Sequence, residues 1–174
     1  MSGPEGSSIK NVRLCVVAFL LRRDYMMSDE EYMKLAYDEA LKARKIDEVP
    51  IGAIIVKEGQ IIAKSYNQKE TQKDVTAHAE MIAIQLACQK LGTWHLDNCV
   101  LYSTLEPCMM CSGAIIQSRI SKVVYGARGQ RWHGLSEYLK YHQFNHYPKV
   151  IAGILEKECC ALITDYFKSK RKHS

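Results

Sequence analysis

Hydrophobic positions along the chain change their period several times, and each change marks an element. From Ser28, apolar residues recur at helical spacing (Tyr32, Leu35, Ala36, Ala40, Ala43), which predicts a helix to about Lys45. Ser28 and Glu31 give it a capping-box start, and Pro50 stops it. In "IGAIIVKEGQIIAKSYN" two β-branched runs flank Glu58-Gly59, which predicts a hairpin. The loop "QKETQKD" leads into "TAHAEMIAIQLACQK", a second helix with Ala77, Met81, Ile84 and Leu86 on its apolar face, ending at Gly92. "NCVLYSTL" (Asn98 to Leu105) is a third strand, stopped by Glu106-Pro107. "PCMMCSGAIIQSRI" reads as a buried helix with Pro107 in its first turn. "KVVYGA" (Lys122 to Ala127) and "KVIAGIL" (Lys149 to Leu155) are a fourth and a fifth strand, and "EKECCALITDYFKSKRK" is a closing amphipathic helix with a basic tip.

This order predicts an α/β protein with three α/β/α layers around a mixed five-stranded sheet. The segment Arg128 to Pro148 is too long for a tight hairpin, and "LSEYLKY" within it suits a short helix. A helical crossover of this kind lets strands four and five run parallel. No repeat or second core is evident, so residues 26–174 are expected to form a single domain. Residues 1–25 form an N-terminal extension that begins with the flexible-looking "MSGPEGSS". Its run "LCVVAFLL" (Leu14 to Leu21), between Arg13 and Arg22-Arg23, has the form of a short signal core, but no small-residue cleavage site follows. It is read either as an organellar targeting segment or as sequence ahead of a domain that starts near Met26.

Composition narrows the class. The chain has 174 residues, 47% hydrophobic and 25% charged, which is globular composition with enough length to bury a core. A net charge of +5 permits a polyanionic partner without requiring one. No apolar run approaches the ~20 residues of a membrane helix. The seven cysteines are Cys15, Cys88, Cys99, Cys108, Cys111, Cys159 and Cys160, an odd number placed mostly in apolar runs. Reduced thiols and a cytoplasmic location are expected, with Cys108 and Cys111 the one pair at metal-ligand spacing.

Candidate chemistry collects at two helix starts. Cys108 and Cys111 face the same way in a first turn, where backbone amides and the helix dipole favour thiolates. His78 opens the preceding helix directly after a loop. In layered α/β proteins such starts gather at the carboxyl ends of strands, which would bring the three side chains together. One histidine and two cysteines suit Zn²⁺ and leave its fourth position open for a water whose pKa falls to roughly 7. Glu80, two residues on, cannot point the same way as His78 on a regular helix, but it can reach that water and shuttle its proton.

H-x-E followed by P-C-x-x-C is the recognised signature of zinc-dependent nucleobase deaminases. "TAHAEMIAI", "TLEPCMMCSGAIIQSRISKVVYGA" and "GILEKECCALITDYF" resemble the bacterial-type tRNA-specific adenosine deaminases of the cytidine/deoxycytidylate deaminase superfamily, over about Ser28 to Lys172. The resemblance implies a cytidine-deaminase-like fold, one zinc per subunit and a homodimer. It also implies hydrolysis of adenosine to inosine at the wobble position of a tRNA anticodon loop, with Glu80 as proton shuttle. Asn67 matches a family asparagine that bonds the flipped base, although a turn asparagine is the plainer reading. Asn145 and Phe167 match positions near the anticodon. Arg131, Lys168 and Lys170 are candidate phosphate contacts, and Trp132 either stacks on a base or covers a loop. After "YGAR", Gly129 stands where bacterial members commonly carry Asp or Asn, and His133 stands where many have Gly. Both departures bear on docking of the anticodon loop and leave the zinc chemistry untouched.

Three rival readings share parts of this pattern. A deaminase of free guanine, cytosine or a nucleoside would use the same metal and Glu80. A zinc-containing RNA-binding module would need a fourth protein ligand, for which Cys88, His95 and Cys99 are donors. A C-x-x-C oxidoreductase leaves His78 and Glu80 without a role.

Overall fold

The computed structural model describes residues 27–129, 133–141 and 143–171. The extension 1–25 and the candidates Arg131 and Trp132 lie outside the described residues.

Helix α1 (Asp29–Lys45) starts at Ser28, whose side chain accepts from the Glu31 N–H while Glu31 accepts from the Ser28 N–H at 2.7 Å. Acidic residues fill its first turn and basic residues its last, each complementing the helix dipole. The helix ends at Lys45 as predicted, with Ile46 as its C-cap; it stops ahead of Pro50 because Asp47 turns left-handed (φ 63°) and the Glu48 N–H folds back onto the Ala43 carbonyl. Strands β1 (Gly52–Lys57) and β2 (Gln60–Tyr66) form the expected hairpin, with Glu58 and Gly59 both at positive φ. The following loop holds a short helix α2 (Lys69–Gln72), which the hydrophobic pattern does not mark.

Helix α3 (Ala79–Leu91) is capped by His78 and closed by a left-handed Gly92. Its buried positions are Ala79, Glu80, Ala83, Ile84 and Ala87. Leu86 falls outside that stripe and is 41% exposed, which corrects its place on the predicted apolar face. Strand β3 (Cys99–Leu105) leads to helix α4 (Met109–Gln117), for which Cys108 is the N-cap, so Pro107 precedes the first turn. Strand β4 (Lys122–Ala127), helix α5 (Leu135–Tyr141), strand β5 (Lys149–Ala152) and helix α6 (Glu156–Arg171) follow. β5 is shorter than its hydrophobic run, because Gly153 and Leu155 adopt positive φ and turn the chain away.

The sheet order is β2-β1-β3-β4-β5. β1 is antiparallel to both neighbours, and the β3–β4 and β4–β5 pairs are parallel, the latter joined by the expected helical crossover. Alternate residues of the central strands enter two cores. Ala53, Ile55, Leu101 and Val123 pack with α3 and α4 on one face. Ile54, Val56, Tyr102 and Val124 pack with Tyr32, Met33 and Ala36 of α1 on the other, where α6 also crosses β4. Burial on both faces is what makes these strands read as continuous apolar runs. Gly52 allows α1 to touch β1, since a Cβ there would lie 2.1 Å from the Ala36 carbonyl oxygen.

Candidate active site

The two helix starts predicted to converge do so at the carboxyl ends of β2 and β3. His78 and Cys108 each occupy an N-cap in extended backbone, so both side chains project from the first turn with no capping duty of their own. Cys111 lies one turn further into α4. The Cys108 and Cys111 Sγ atoms are 3.6 Å apart, and His78 Nδ1 lies 3.7 and 3.6 Å from them. A tetrahedral zinc with Zn–S of about 2.3 Å and Zn–N of about 2.05 Å requires S···S edges of about 3.8 Å and S···N edges of about 3.6 Å. The triangle of donors therefore fits such an ion. Among the described residues no fourth His, Cys, Asp or Glu joins it. Cys88 sits near the far end of α3 and Cys99 at the opposite end of β3. His95 stacks on Trp94 and faces Asp97. None of these supplies the extra ligand a closed structural site needs.

The electrostatics of the cluster agree with its geometry. Hydrogen bonding from Cys111 and His78 draws the Cys108 thiol down to about 4, despite partial burial. The same bond to Cys108, with burial, pushes the Cys111 thiol up. The hydrogen bond to Cys108 also raises His78. A bound dication would favour both thiolates, because a coordinating thiol is deprotonated outright.

Glu80 is buried in the first turn of α3. Its Oε1 accepts from Ser103 Oγ at 3.2 Å, while Oε2 is buried with no hydrogen-bond partner among the described residues. Desolvation raises its pKa. A buried carboxylate with an unused oxygen is costly for stability, so its presence beside the donor triangle points to proton transfer. Ser65 steadies this corner from β2, donating to the Ala79 carbonyl at 2.6 Å.

The family model for the cytidine and deoxycytidylate deaminase zinc-binding region matches residues 26–127, which include the donor triangle and Glu80. The chain belongs to this deaminase family. Among its relatives, the tRNA-specific adenosine deaminase of Bacillus subtilis is 47% identical over 150 residues, covering 84% of this chain and 93% of that protein. The tRNA-specific adenosine deaminase of Aquifex aeolicus is 45% identical, covering 84% and 99%. A solved structure from work on A-to-I editing by tRNA:A34 deaminases at the wobble position of transfer RNA aligns with a TM-score of 0.73 at 40% identity, covering 76% of this chain and 98% of that one. A guanine deaminase from Nitrosomonas europaea aligns with a TM-score of 0.70 at 27% identity, covering 80% and 84%.

Around the centre of this deaminase, the other predicted residues lie on several elements. Asn67 follows β2 and is buried, its amide donating to Glu48 Oε2 at 3.0 Å. Its neighbour Gln68 donates its N–H to the Ala77 carbonyl, directly before His78. Asn145 is exposed in the loop after α5. Phe167 is half-buried on α6 with its ring edge against Tyr166, and Lys168 is exposed beside it. Lys170 pairs with Asp47 and lies over the Tyr166 ring, so it also ties α6 to the end of α1.

Two functional candidates escaped the motif reading. Glu48, wholly buried beneath Asn67, is one. The other is Glu106, which accepts from the Gly129 N–H at 3.2 Å and the Ser136 N–H at 3.0 Å. Glu106 thereby holds both sides of the β4–α5 connection against the end of β3. It lines a cavity with Arg128, Gly129, His133 and Ser136. Gly129 meets Glu106 through its backbone, and His133 is exposed. The "LEP" triplet ahead of Cys108 carried a signal for Glu106; Glu48 had none beyond a charged residue before Val49-Pro50.

Proposed function

We propose that this deaminase converts adenosine to inosine at the wobble position of a tRNA anticodon loop. The buried Glu80 carboxylate, one oxygen of which accepts from Ser103 while the other has no partner among the described residues, stands beside a three-donor cluster and carries the chemistry. Identity of 47% spanning 93% of a tRNA-specific adenosine deaminase supports the substrate. His78, Cys108 and Cys111 would hold the zinc. When bound, the ion supplies the acidification that lets water attack carbon at neutral pH.

The protein's own residues then manage protons and position. Glu80 takes a proton from the attacking water and delivers it to adenine N1 as the C6–O bond forms. It next carries the remaining hydroxyl proton to the amino group. The C6–N6 bond breaks, ammonia leaves and the C6 carbonyl of inosine remains. Asn67 bonds the flipped base and fixes its depth. Flipping is least costly from a single-stranded loop, where unpairing is already done. Asn145, Phe167, Arg131, Lys168 and Lys170 extend the contact to the anticodon loop and its phosphates.

The enzyme acts as a cytoplasmic homodimer in this reading. Among the described residues no helix is long and apolar enough to cross a membrane. The rival, hydrolysis of free guanine, is favoured by the likeness to the guanine deaminase, at lower identity. Zinc-loaded protein incubated with an arginine-accepting tRNA transcript bearing wobble adenosine should yield inosine, with free guanine untouched. The reverse pattern overturns the assignment.

A further inference from the structure

Glu48 takes no part in the hydrolytic chemistry, yet its side chain is 0% exposed and both its oxygens are engaged. Oε2 accepts from Asn67 Nδ2 at 3.0 Å, and Oε1 accepts from the Thr71 N–H at 2.6 Å. The second bond serves helix α2, whose N-cap Gln68 makes no side-chain cap bond, so Glu48 caps it from a distance. A backbone bond from the Asn67 N–H to the Ile51 carbonyl, 2.9 Å, closes the same assembly. Burying a carboxylate is a poor route to stability, since apolar residues of similar volume usually serve as well or better. What a carboxylate does that they cannot is choose between the two flips of an amide. The Asn67 side chain is nearly symmetrical in shape. Turned one way it gives Glu48 a donor; turned the other way it sets oxygen against oxygen.

We propose that Glu48 is a positioning residue for the base site: its carboxylate holds the Asn67 amide in one flip and clamps α2, so that Asn67 presents a fixed donor and acceptor edge to the purine. The proposal rests on Asn67 reading the base. Loss of Glu48 frees the amide to rotate, and the base is then held in a mixture of poses of which some misplace C6.

The test uses zinc-loaded full-length protein and an RNA hairpin carrying the anticodon loop with adenosine at the wobble position. Steady-state kinetics are compared for Glu48→Gln, Asn67→Ala and the double variant. Glu48→Gln keeps the volume but leaves one of the two donors without an acceptor. It should lower kcat/KM about tenfold, the scale of one buried hydrogen bond, with zinc content unchanged. In the Asn67→Ala background the same substitution should cost less than about twofold, because the group it positions is gone. Independent, multiplying losses, or a Glu48→Gln enzyme with wild-type kinetics, would overturn the proposal. If Asn67→Ala alone is fully active, the reading of Asn67 fails and this proposal with it. If Asn67→Ala is impaired while Glu48→Gln is not, only the role of Glu48 fails. Should Glu48→Gln not accumulate as folded protein, Glu48→Asp keeps the charge with a shorter reach. In its NMR spectrum the Asn67 side-chain amide should lose the downfield, slowly exchanging proton expected of a carboxylate-bound N–H. An unchanged resonance would refute the clamp.

Discussion

Replacing Glu80 by glutamine separates what this residue does for catalysis from what it does to stability, and the two should move in opposite directions. General acid–base catalysis by a positioned carboxylate contributes about 10²–10⁴-fold, so deamination by zinc-loaded Glu80→Gln should fall at least about a hundredfold. Stability should rise. In the wild-type protein one carboxylate oxygen accepts from the Ser103 hydroxyl at 3.2 Å, and the other is buried with no hydrogen-bond partner among the described residues. An unsatisfied buried polar atom costs about 1–3 kcal/mol, more when it is charged. Glutamine keeps the shape and removes the charge, so it recovers a share of that cost, on the order of 1 kcal/mol. For a chain of this size that corresponds to a rise in Tm of about 2–4 °C. The assays are inosine formation, zinc content by atomic absorption, and urea unfolding of chelator-treated protein. A variant that loses its zinc would mean that Glu80 ligates the metal. A variant that is inactive but less stable than the wild type would refute the claim that the carboxylate is held at a cost for function.

Other substitutions probe the frame and the RNA surface. Gly52→Ala would place a methyl 2.1 Å from the Ala36 carbonyl oxygen and 2.4 Å from the Ala40 nitrogen; thermal unfolding should show a loss of about 3 kcal/mol, at the upper end of overpacking costs. Lys122→Met should make unfolding less sensitive to acid. Burial works against ionisation of Asp29, but hydrogen bonds from Lys122 and Tyr102 outweigh it and hold the carboxyl below its ordinary value. The resulting stabilisation is complete above about pH 4 and is lost as pH falls through the depressed value. The gap between wild type and variant, measured by urea titration, should therefore close below about pH 4. Lys168→Ala should weaken binding to tRNA and reduce the slope of log K against log salt by about 1, and an unchanged slope would remove Lys168 from the phosphate contacts.

The sheet was legible because its central strands are buried on both sides: "AIIV" and "KVVYGA" admit no helical stripe. The donor triangle was legible because His78 and Cys108 sit at helix starts with Cys111 one turn on, and because helix starts in layered folds converge. Leu86 was misplaced for a related reason. The helix buries small residues, Ala79, Ala83 and Ala87, against the sheet, and periodicity weighted by hydrophobicity overlooks alanine in favour of leucine. Helix α2 was invisible because it has no apolar face and no cap within its own sequence; its cap comes from Glu48, distant along the chain. Contacts of that kind leave no local spacing to read.

Strand direction explains why Glu48 and Asn67 meet at all. β2, β3, β4 and β5 run one way, so the residues that follow β2, β3 and β4 emerge at one edge: Asn67, then Glu106 and Cys108, then Arg128. β1 alone runs the other way, pairing Gly52 with Tyr66 and Ala53 with Ser103. Its beginning therefore lies at the edge where the others end. A residue just before β1 lies at the same edge as the residues that follow the other strands. In a purely parallel sheet that position would fall at the opposite edge, remote from the chemistry. The reversed strand thus brings the short link between α1 and β1 beside Asn67. That link is anchored a second time by α6, whose Tyr166 hydroxyl donates to the Asp47 carbonyl at 2.9 Å. The helix that carries the candidate RNA contacts Phe167 and Lys168 is in this way packed against the segment that hydrogen-bonds Asn67.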